Sequence, residues 1–196
     1  MSLSGLALGA LCQPDWDTRP FRIIGLDEHE VFYDCQSEDG LWTFWDNYRR
    51  TCVFYRVSTA FFAQRSQRIG DMPLAPEELA AFRPDLPMRL GRSNDLCWNR
   101  PWSKEAIEQA SMPRTISANA VVLVPYGPKG ALKTGVIVRS SGEDLEVPTL
   151  LLEAKRIQEA NNAGPSKGVG LCRLGWQKRL PSYYIGAYLD RAGHVR

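Results

Sequence analysis

Short apolar runs separated by polar clusters characterise the N-terminal third of the chain. The runs are rich in β-branched and aromatic residues, which is typical of strands, and they lie at residues 21–26, 31–35, 41–45 and 52–57. Asp39 and Gly40 form a dipeptide that supplies the positive φ of a tight hairpin. Apolar side chains occupy both faces of these runs, as with Phe32 between Val31 and Tyr33. The pattern predicts a curled, barrel-like antiparallel β-meander.

The middle of the chain shows helical spacing interrupted by prolines. Three short helices are predicted. The first begins at a cap at residue 58 or 59 and reaches residue 65, the second spans residues 76–82, and the third spans residues 104–110. Pro76 suits the first position of the second helix. Six prolines between Pro73 and Pro113 exclude one long helix.

The last third predicts two strands, a helix and two strands, at residues 120–124, 135–139, 150–162, 168–174 and 183–189. Thr149 is the expected N-cap of the helix. Four side chains at helical spacing are expected to face inward: Leu151, Ala154, Ile157 and Gln158. This order of elements predicts an antiparallel ββαββ sheet with a helix on one face.

The fold class expected from these patterns is α+β. The N-terminal β-meander is assigned to residues 1–70, a proline-rich helical connector to residues 71–118, and the ββαββ lobe to residues 119–196. The three segments are expected to form one compact body.

The charges of this 196-residue chain change sign along its length. The net charge is +2, the hydrophobic content is 44% and the mean hydropathy is -0.30, all typical of a globular protein. Residues 1–48, however, carry a net charge of -7, residues 49–70 carry +5, residues 71–118 carry -1 and residues 119–196 carry +5. The two ends are expected either to neutralise each other or to form separate acidic and basic surfaces.

Histidine and cysteine restrict the possible chemistry. Two histidines cannot build a multi-histidine metal site, and five widely spaced cysteines fit neither a zinc motif nor a disulfide framework. The apolar stretch at residues 3–11 is short and has no basic residue before it, unlike a signal peptide. We therefore expect a cytoplasmic protein with no cofactor and no membrane segment.

Aromatic residues and arginines are concentrated between residues 42 and 65. The candidate binding residues are Trp42, Trp45, Tyr48, Arg49 and Arg50. Trp, Tyr and Arg are enriched at the energetic centres of protein interfaces, although aromatic residues also fill small β-cores. The main functional hypothesis is a non-enzymatic protein that binds a protein partner, or a second copy of itself as a homodimer, through this cluster.

A basic segment near the C-terminus supports an alternative. Arg173, Trp176, Lys178 and Arg179 combine cations with an aromatic residue, as nucleic-acid-binding surfaces do. The same cations could instead pair with the acidic N-terminal block. The alternative function is nucleic-acid binding by the C-terminal lobe.

A third hypothesis concerns Asp144, Glu153 and Lys155. The Glu-x-Lys pair with a preceding aspartate resembles the signature of restriction-endonuclease-like nucleases. This resemblance implies that Asp144 and Glu153 bind a divalent metal and that Lys155 orients or activates the attacking water. That family places the pair on a strand, whereas residues 150–162 have the pattern of a helix, which would separate Glu153 and Lys155 by about 200°.

Overall fold

The computed structural model describes residues 5–36, 42, 45–46, 51–53, 55–93, 105, 113–127, 132–161 and 169–186. These residues form a mixed α+β structure made mostly of strands, with largely antiparallel sheets. They group into two compact units, of which unit 1 holds the described residues up to Pro84 and unit 2 those from Asp85 onward. The boundary falls within the proline-rich segment of residues 71–118.

Unit 1 is built on an antiparallel sheet. Its strands along the chain are β1 (Ala10–Pro14), β2 (Phe21–Leu26), β3 (Glu30–Cys35), β4 (Trp45–Asp46), β5 (Thr51–Val53), β6 (Tyr55–Ser58) and β7 (Ser66–Asp71). Five of them lie side by side in the order β6-β3-β2-β1-β7, and β4 pairs with β5. In the described part of the chain β6 and β7 are the two edges, so this sheet is open and a barrel-like closure is not confirmed.

Two of the predicted strands are confirmed as β2 and β3. The predicted run at residues 52–57 is divided between β5 and β6, whereas most of the run at residues 41–45 lies outside the described residues. The sequence pattern did not predict β1 or β7, which pair with each other across more than 50 residues of chain.

Helix α1 (Thr59–Arg65) covers one face of the unit 1 sheet. It begins after Ser58, whose Oγ accepts a hydrogen bond from the Phe61 N–H at 3.2 Å, so the predicted N-cap is confirmed. Phe62 is buried in a core of side chains that alternate along the strands: Ala10, Cys12, Phe21, Ile23, Val31, Tyr33 and Cys35. Leu6, Trp16 and Val57 pack against this core.

Helix α2 (Pro76–Phe82) is joined to the opposite face of the same sheet. Its bounds are those predicted, with Pro76 in the first turn. Arg22 lies between Phe21 and Ile23 on β2, so its side chain points away from the α1 core, and it is hydrogen bonded to Glu78 of α2. The central strands of unit 1 are therefore buried on both faces.

Unit 2 holds seven described strands. They are β8 (Arg89–Ser93), β9 (Thr115–Ile116), β10 (Ala120–Val124), β11 (Val136–Arg139), β12 (Leu145–Glu146), β13 (Val169–Gln177) and β14 (Leu180–Gly186). Five of these lie in the order β11-β10-β14-β13-β8, and β9 pairs with β12. The predicted antiparallel arrangement is wrong for one pair, because β10 and β14 are parallel, with Val122 opposite Ser182. The long connection between these two strands includes a helix, which permits parallel pairing.

Helix α3 (Val147–Glu159) packs against the unit 2 core. The predicted inward residues Leu151, Ala154, Ile157 and Gln158 are all buried. The predicted N-cap at Thr149 is wrong, since the helix begins at Val147 after Glu146. Pro148 is accommodated because the first-turn N–H groups of a helix have no acceptor within the helix.

Gly91 marks a close approach between β8 and α3. Its φ is +67°, and a Cβ atom built there would lie 2.5 Å from Leu151 Cδ2. A side chain at this position would have to displace a fully buried leucine and adopt a backbone conformation that L residues rarely adopt.

Gly91→Ala is therefore expected to lower the free energy of unfolding by about 1–3 kcal/mol, measured by urea denaturation. Gly70→Ala is the matched control, because nothing lies within 4 Å of a Cβ there and its φ is not positive. That control is expected to stay within about 0.5 kcal/mol of the wild type. Equal stability of Gly91→Ala and the wild type would contradict the close packing of β8 and α3.

Candidate functional site

Six aromatic rings form a continuous cluster on the α1 side of unit 1, which we call the aromatic face: Trp16, Phe21, Tyr33, Tyr55, Phe61 and Phe62. Phe21 stacks on Tyr33 with ring centroids 4.3 Å apart, and Tyr33 stacks on Tyr55 at 5.6 Å. Trp16 lies against Phe61 at 4.9 Å. Each ring is held by at least one other ring, so the cluster has little freedom to rearrange.

The aromatic face runs from the core to the surface. Phe62 and Phe21 are buried in the α1 core, whereas Phe61 is 39% exposed and Tyr55 is 37% exposed. Trp16 is partly buried between them and the core. Exposed rings anchored on buried rings lose little conformational entropy when a ligand covers them.

Paired charges surround the exposed rings. Arg65 Nε lies 2.6 Å from Asp15 Oδ2, and the Arg65 guanidinium carbon lies 5.4 Å from the centre of the Phe61 ring. On the loop after Trp16, Arg19 Nη2 lies 2.8 Å from Asp17 Oδ2. Each arginine is matched by an aspartate, so this border carries no net charge. An arginine over a phenylalanine ring is a common arrangement at binding surfaces.

The tyrosines of the aromatic face and Cys35 in the adjoining core are neutral at physiological pH. Burial raises the pKa of Tyr33 to about 12 and also raises the pKa values of the Tyr55 hydroxyl and the Cys35 thiol above their ordinary values. A neutral buried thiol is a poor nucleophile, because the thiolate is the reactive form. The chemistry of this face is therefore that of apolar contact and hydrogen bonding.

An ionic cluster occupies the opposite face of the same strands. Arg22 is only 2% exposed. It donates to Asp34 from Nε at 3.1 Å and Nη2 at 2.6 Å, and to Glu78 from Nη1 at 3.0 Å and Nη2 at 2.8 Å. Glu78 also accepts the Ala75 N–H at 2.8 Å at the start of α2. The Trp42 ring lies 5.6 Å from the guanidinium carbon of Arg22.

The two carboxylates of this cluster have opposite pKa shifts. Burial raises the pKa of Asp34 to about 6, against the hydrogen bonds from Arg22 that favour its charged form. Burial also disfavours the charged form of Glu78, but its hydrogen bonds from Arg22 and the Ala75 N–H outweigh burial and hold its pKa below the ordinary value. Glu78 is therefore the firmly charged partner, and Asp34 is the group that gains a proton first as the pH falls.

The structure separates the residues of the predicted aromatic cluster. Trp42 lies over Arg22, on the side of the sheet away from the aromatic face. Trp45 begins β4, but its side chain lies outside the description. Tyr48, Arg49 and Arg50 lie outside the described residues.

Three residues of the aromatic face lie outside the concentration of aromatics that the sequence pattern selected: Trp16, Phe21 and Tyr33. Tyr55, Phe61 and Phe62 belong to the predicted concentration of aromatics, whereas Trp16 precedes it by 26 residues. The sequence signal for Trp16 is its position between two aspartates after an apolar run, and such a signal is weak. The packing of α1 on the sheet brings Phe61 and Phe62 against Trp16.

The predicted basic residues of unit 2 do not share one surface. Arg173 is 2% exposed, with its guanidinium 5.4 Å from the Tyr183 ring and Nη2 3.3 Å from the Gly175 carbonyl oxygen. Lys178 and Arg179 are exposed at the turn between β13 and β14. Trp176 lies on β13, and its side chain is not described.

The residues of the nuclease hypothesis lie on a helix and a loop. Glu153 accepts from Arg156 at 2.7 Å and Lys155 lies 3.7 Å from Glu159, both within α3, while Asp144 lies in the exposed segment before β12. The helical position predicted for Glu153 and Lys155 is confirmed. Among the described residues, no group of three His, Cys, Asp or Glu side chains could hold a metal ion.

Comparison of the chain with models of protein families, with curated proteins and with solved structures finds no match. No helix within the described ranges is long and apolar enough to cross a membrane.

Arg22→Met is expected to lower the free energy of unfolding by about 3–5 kcal/mol at pH 8, because it leaves buried Asp34 without its cation. Without Arg22 the folded-state pKa of Asp34 rises further above its unfolded value, so the folded variant gains stability by binding a proton as the pH falls. The deficit relative to the wild type is therefore expected to be smaller at pH 5 than at pH 8, measured by urea denaturation at both values.

The control for this experiment is the double variant Arg22→Met with Asp34→Leu, which removes both buried charges. It is expected to recover much of the loss and to abolish the difference between pH 5 and pH 8 that depends on Asp34. A deficit in Arg22→Met that is the same at both pH values would contradict the assigned titration of Asp34.

Proposed function

We propose that the protein is a non-enzymatic binding protein that contacts a protein partner through the exposed part of the aromatic face. The observation that carries the proposal is the Phe61 ring, which is exposed to solvent, backed by Trp16 and bordered by Arg65. Tryptophan, tyrosine and arginine are enriched among the residues that dominate binding energy at protein interfaces, and phenylalanine is enriched in their apolar contact area.

The charges around the face favour a protein over a polyanion. Asp15 matches Arg65 and Asp17 matches Arg19, so the border offers hydrogen-bonding groups of both signs and no excess of positive charge. Recognition would then depend on apolar contact with the rings and on a few polar contacts at the border. That is the usual composition of a protein interface.

The size of the exposed rings favours a short segment of the partner. A fully exposed aromatic side chain offers roughly 150–250 Å², so Phe61 and Tyr55 together expose on the order of 150 Å² of ring surface. A stable dimer buries about 800 Å² per partner. The proposed ligand is therefore a peptide segment that places one or two apolar side chains against Phe61 and Trp16.

The cysteines support a reducing setting, and we place the protein in the cytoplasm. Cys12 and Cys35 are free and buried within strands. Buried free thiols are compatible with a compartment in which thiols stay reduced.

The proposal is tested with peptides selected from a random displayed library on the purified full-length chain. Phe61→Ala is expected to lower the affinity for a selected peptide at least tenfold, measured by fluorescence anisotropy, because it removes the exposed ring and the surface on which Arg65 lies. Arg65→Ala is expected to lower this affinity by a smaller factor.

Leu152→Ala is the matched control, since Leu152 is 49% exposed on α3 and lies outside the aromatic face. It should leave peptide affinity unchanged. Failure to enrich any peptide, or equal affinity for the wild type and Phe61→Ala, would refute the proposal. A dimer in sedimentation equilibrium that Phe61→Ala dissociates would replace the peptide ligand with a second copy of this chain.

A further inference from the structure

The turn between β13 and β14 has a backbone conformation that its residues do not favour. Gln177 pairs with Leu180, so Lys178 and Arg179 alone make the turn. Their φ angles are 52° and 62°. Two-residue hairpin turns with both φ angles positive favour Asn-Gly, because lysine and arginine side chains destabilise the left-handed conformation.

The turn brings exposed cations together at one edge of unit 2. Lys178 Nζ lies 3.5 Å from the Gly135 carbonyl oxygen, and exposed Lys133 is two residues before Gly135. We call Lys133, Lys178 and Arg179 the cationic tip. In the described part of the chain none of the three forms an ion pair, whereas exposed Arg68 and Arg156 lie 2.6 Å and 2.7 Å from a carboxylate.

We propose that the cationic tip binds the phosphate backbone of a nucleic acid. Three exposed cations that the described carboxylates leave unneutralised fit a repeating chain of phosphates, where each contact releases a counterion and adds to the affinity. Two of these cations occupy a turn whose conformation favours other residues. Arg173 has no part in this surface because it is buried.

The assignment predicts contact with the backbone and not with the bases. Lys and Arg side chains at an exposed turn reach phosphate oxygens without entering a groove. Binding is therefore expected to be insensitive to sequence and to weaken steeply with salt.

The test replaces the turn by the residues that its conformation favours, Lys178→Asn with Arg179→Gly, in the full-length chain. This variant is expected to unfold at a higher temperature than the wild type, since Asn-Gly suits two positive φ angles. Its affinity for a labelled 20-base-pair DNA duplex should nevertheless fall about tenfold at about 50 mM salt, and the slope of log affinity against log salt should become shallower by about 1.8. Opposite changes in thermal stability and binding would separate the function of the turn from its role in folding.

The control Arg68→Gln with Arg156→Gln removes the same number of positive charges from sites that are already paired. It should retain the duplex affinity and salt slope of the wild type. If Lys178→Asn with Arg179→Gly unfolds at a lower temperature than the wild type, Lys178→Gln with Arg179→Gln replaces it in the binding assay. The same loss of duplex affinity and the same change in salt slope are expected.

Three results would overturn the proposal. One is a wild-type chain that does not bind the duplex at about 50 mM salt. Another is an equal loss of affinity in the control, which would mean that only net charge matters. The third is binding to phosphatidylserine vesicles that depends on Lys178 and Arg179 while duplex binding does not.

Discussion

The burial of Arg22 is the constraint on which unit 1 depends. A guanidinium that is almost fully removed from water is destabilising unless charged acceptors surround it, and here Asp34 and Glu78 each accept two of its hydrogen bonds. Asp34 lies opposite Arg22 on the neighbouring strand, whereas Glu78 comes from α2. One side chain therefore fixes both the pairing of β2 with β3 and the attachment of the helix.

The same strands explain why the aromatic face is rigid. Phe21 precedes Arg22 on β2 and pairs with Cys35 next to Asp34, so aromatic and ionic side chains alternate between the two faces. A shift of one residue in the pairing would move Arg22 into the aromatic core and Phe21 among the carboxylates. Because one face of the sheet is aromatic and the other is ionic, only one register of β2 against β3 places each side chain in a suitable environment. The exposed ring of Phe61 is positioned by this register through Trp16 and Phe62.

Local signals were sufficient for the elements whose causes are local. The Ser58 cap, Pro76 and the apolar runs of β2 and β3 predicted their elements correctly, because capping and side-chain alternation act over a few residues. The pairing of β1 with β7, the parallel pairing of β14 with β10 and the position of Trp16 depend on contacts between distant parts of the chain. Arg22 is the clearest case: between two apolar residues it has the pattern of a solvent-facing position, and Glu78, which explains its burial, lies 56 residues away. The aromatic concentration did point to Phe61 and Tyr55, but it could not separate them from Trp42, which packs on Arg22.

The opposed charge blocks of the sequence have a structural explanation in unit 1. Asp15 pairs with Arg65, Glu30 with Arg56 and Asp34 with Arg22, so acids of residues 1–48 are neutralised by arginines of the same block or of residues 49–70. These three acids therefore do not neutralise the excess of basic residues in the segment 119–196. Among the described residues no carboxylate pairs with the cations of the turn in unit 2, whereas the charges at the border of the aromatic face are matched. The two proposals thus differ in their expected response to salt, which should weaken electrostatic attraction at the turn far more than apolar contact at the aromatic face.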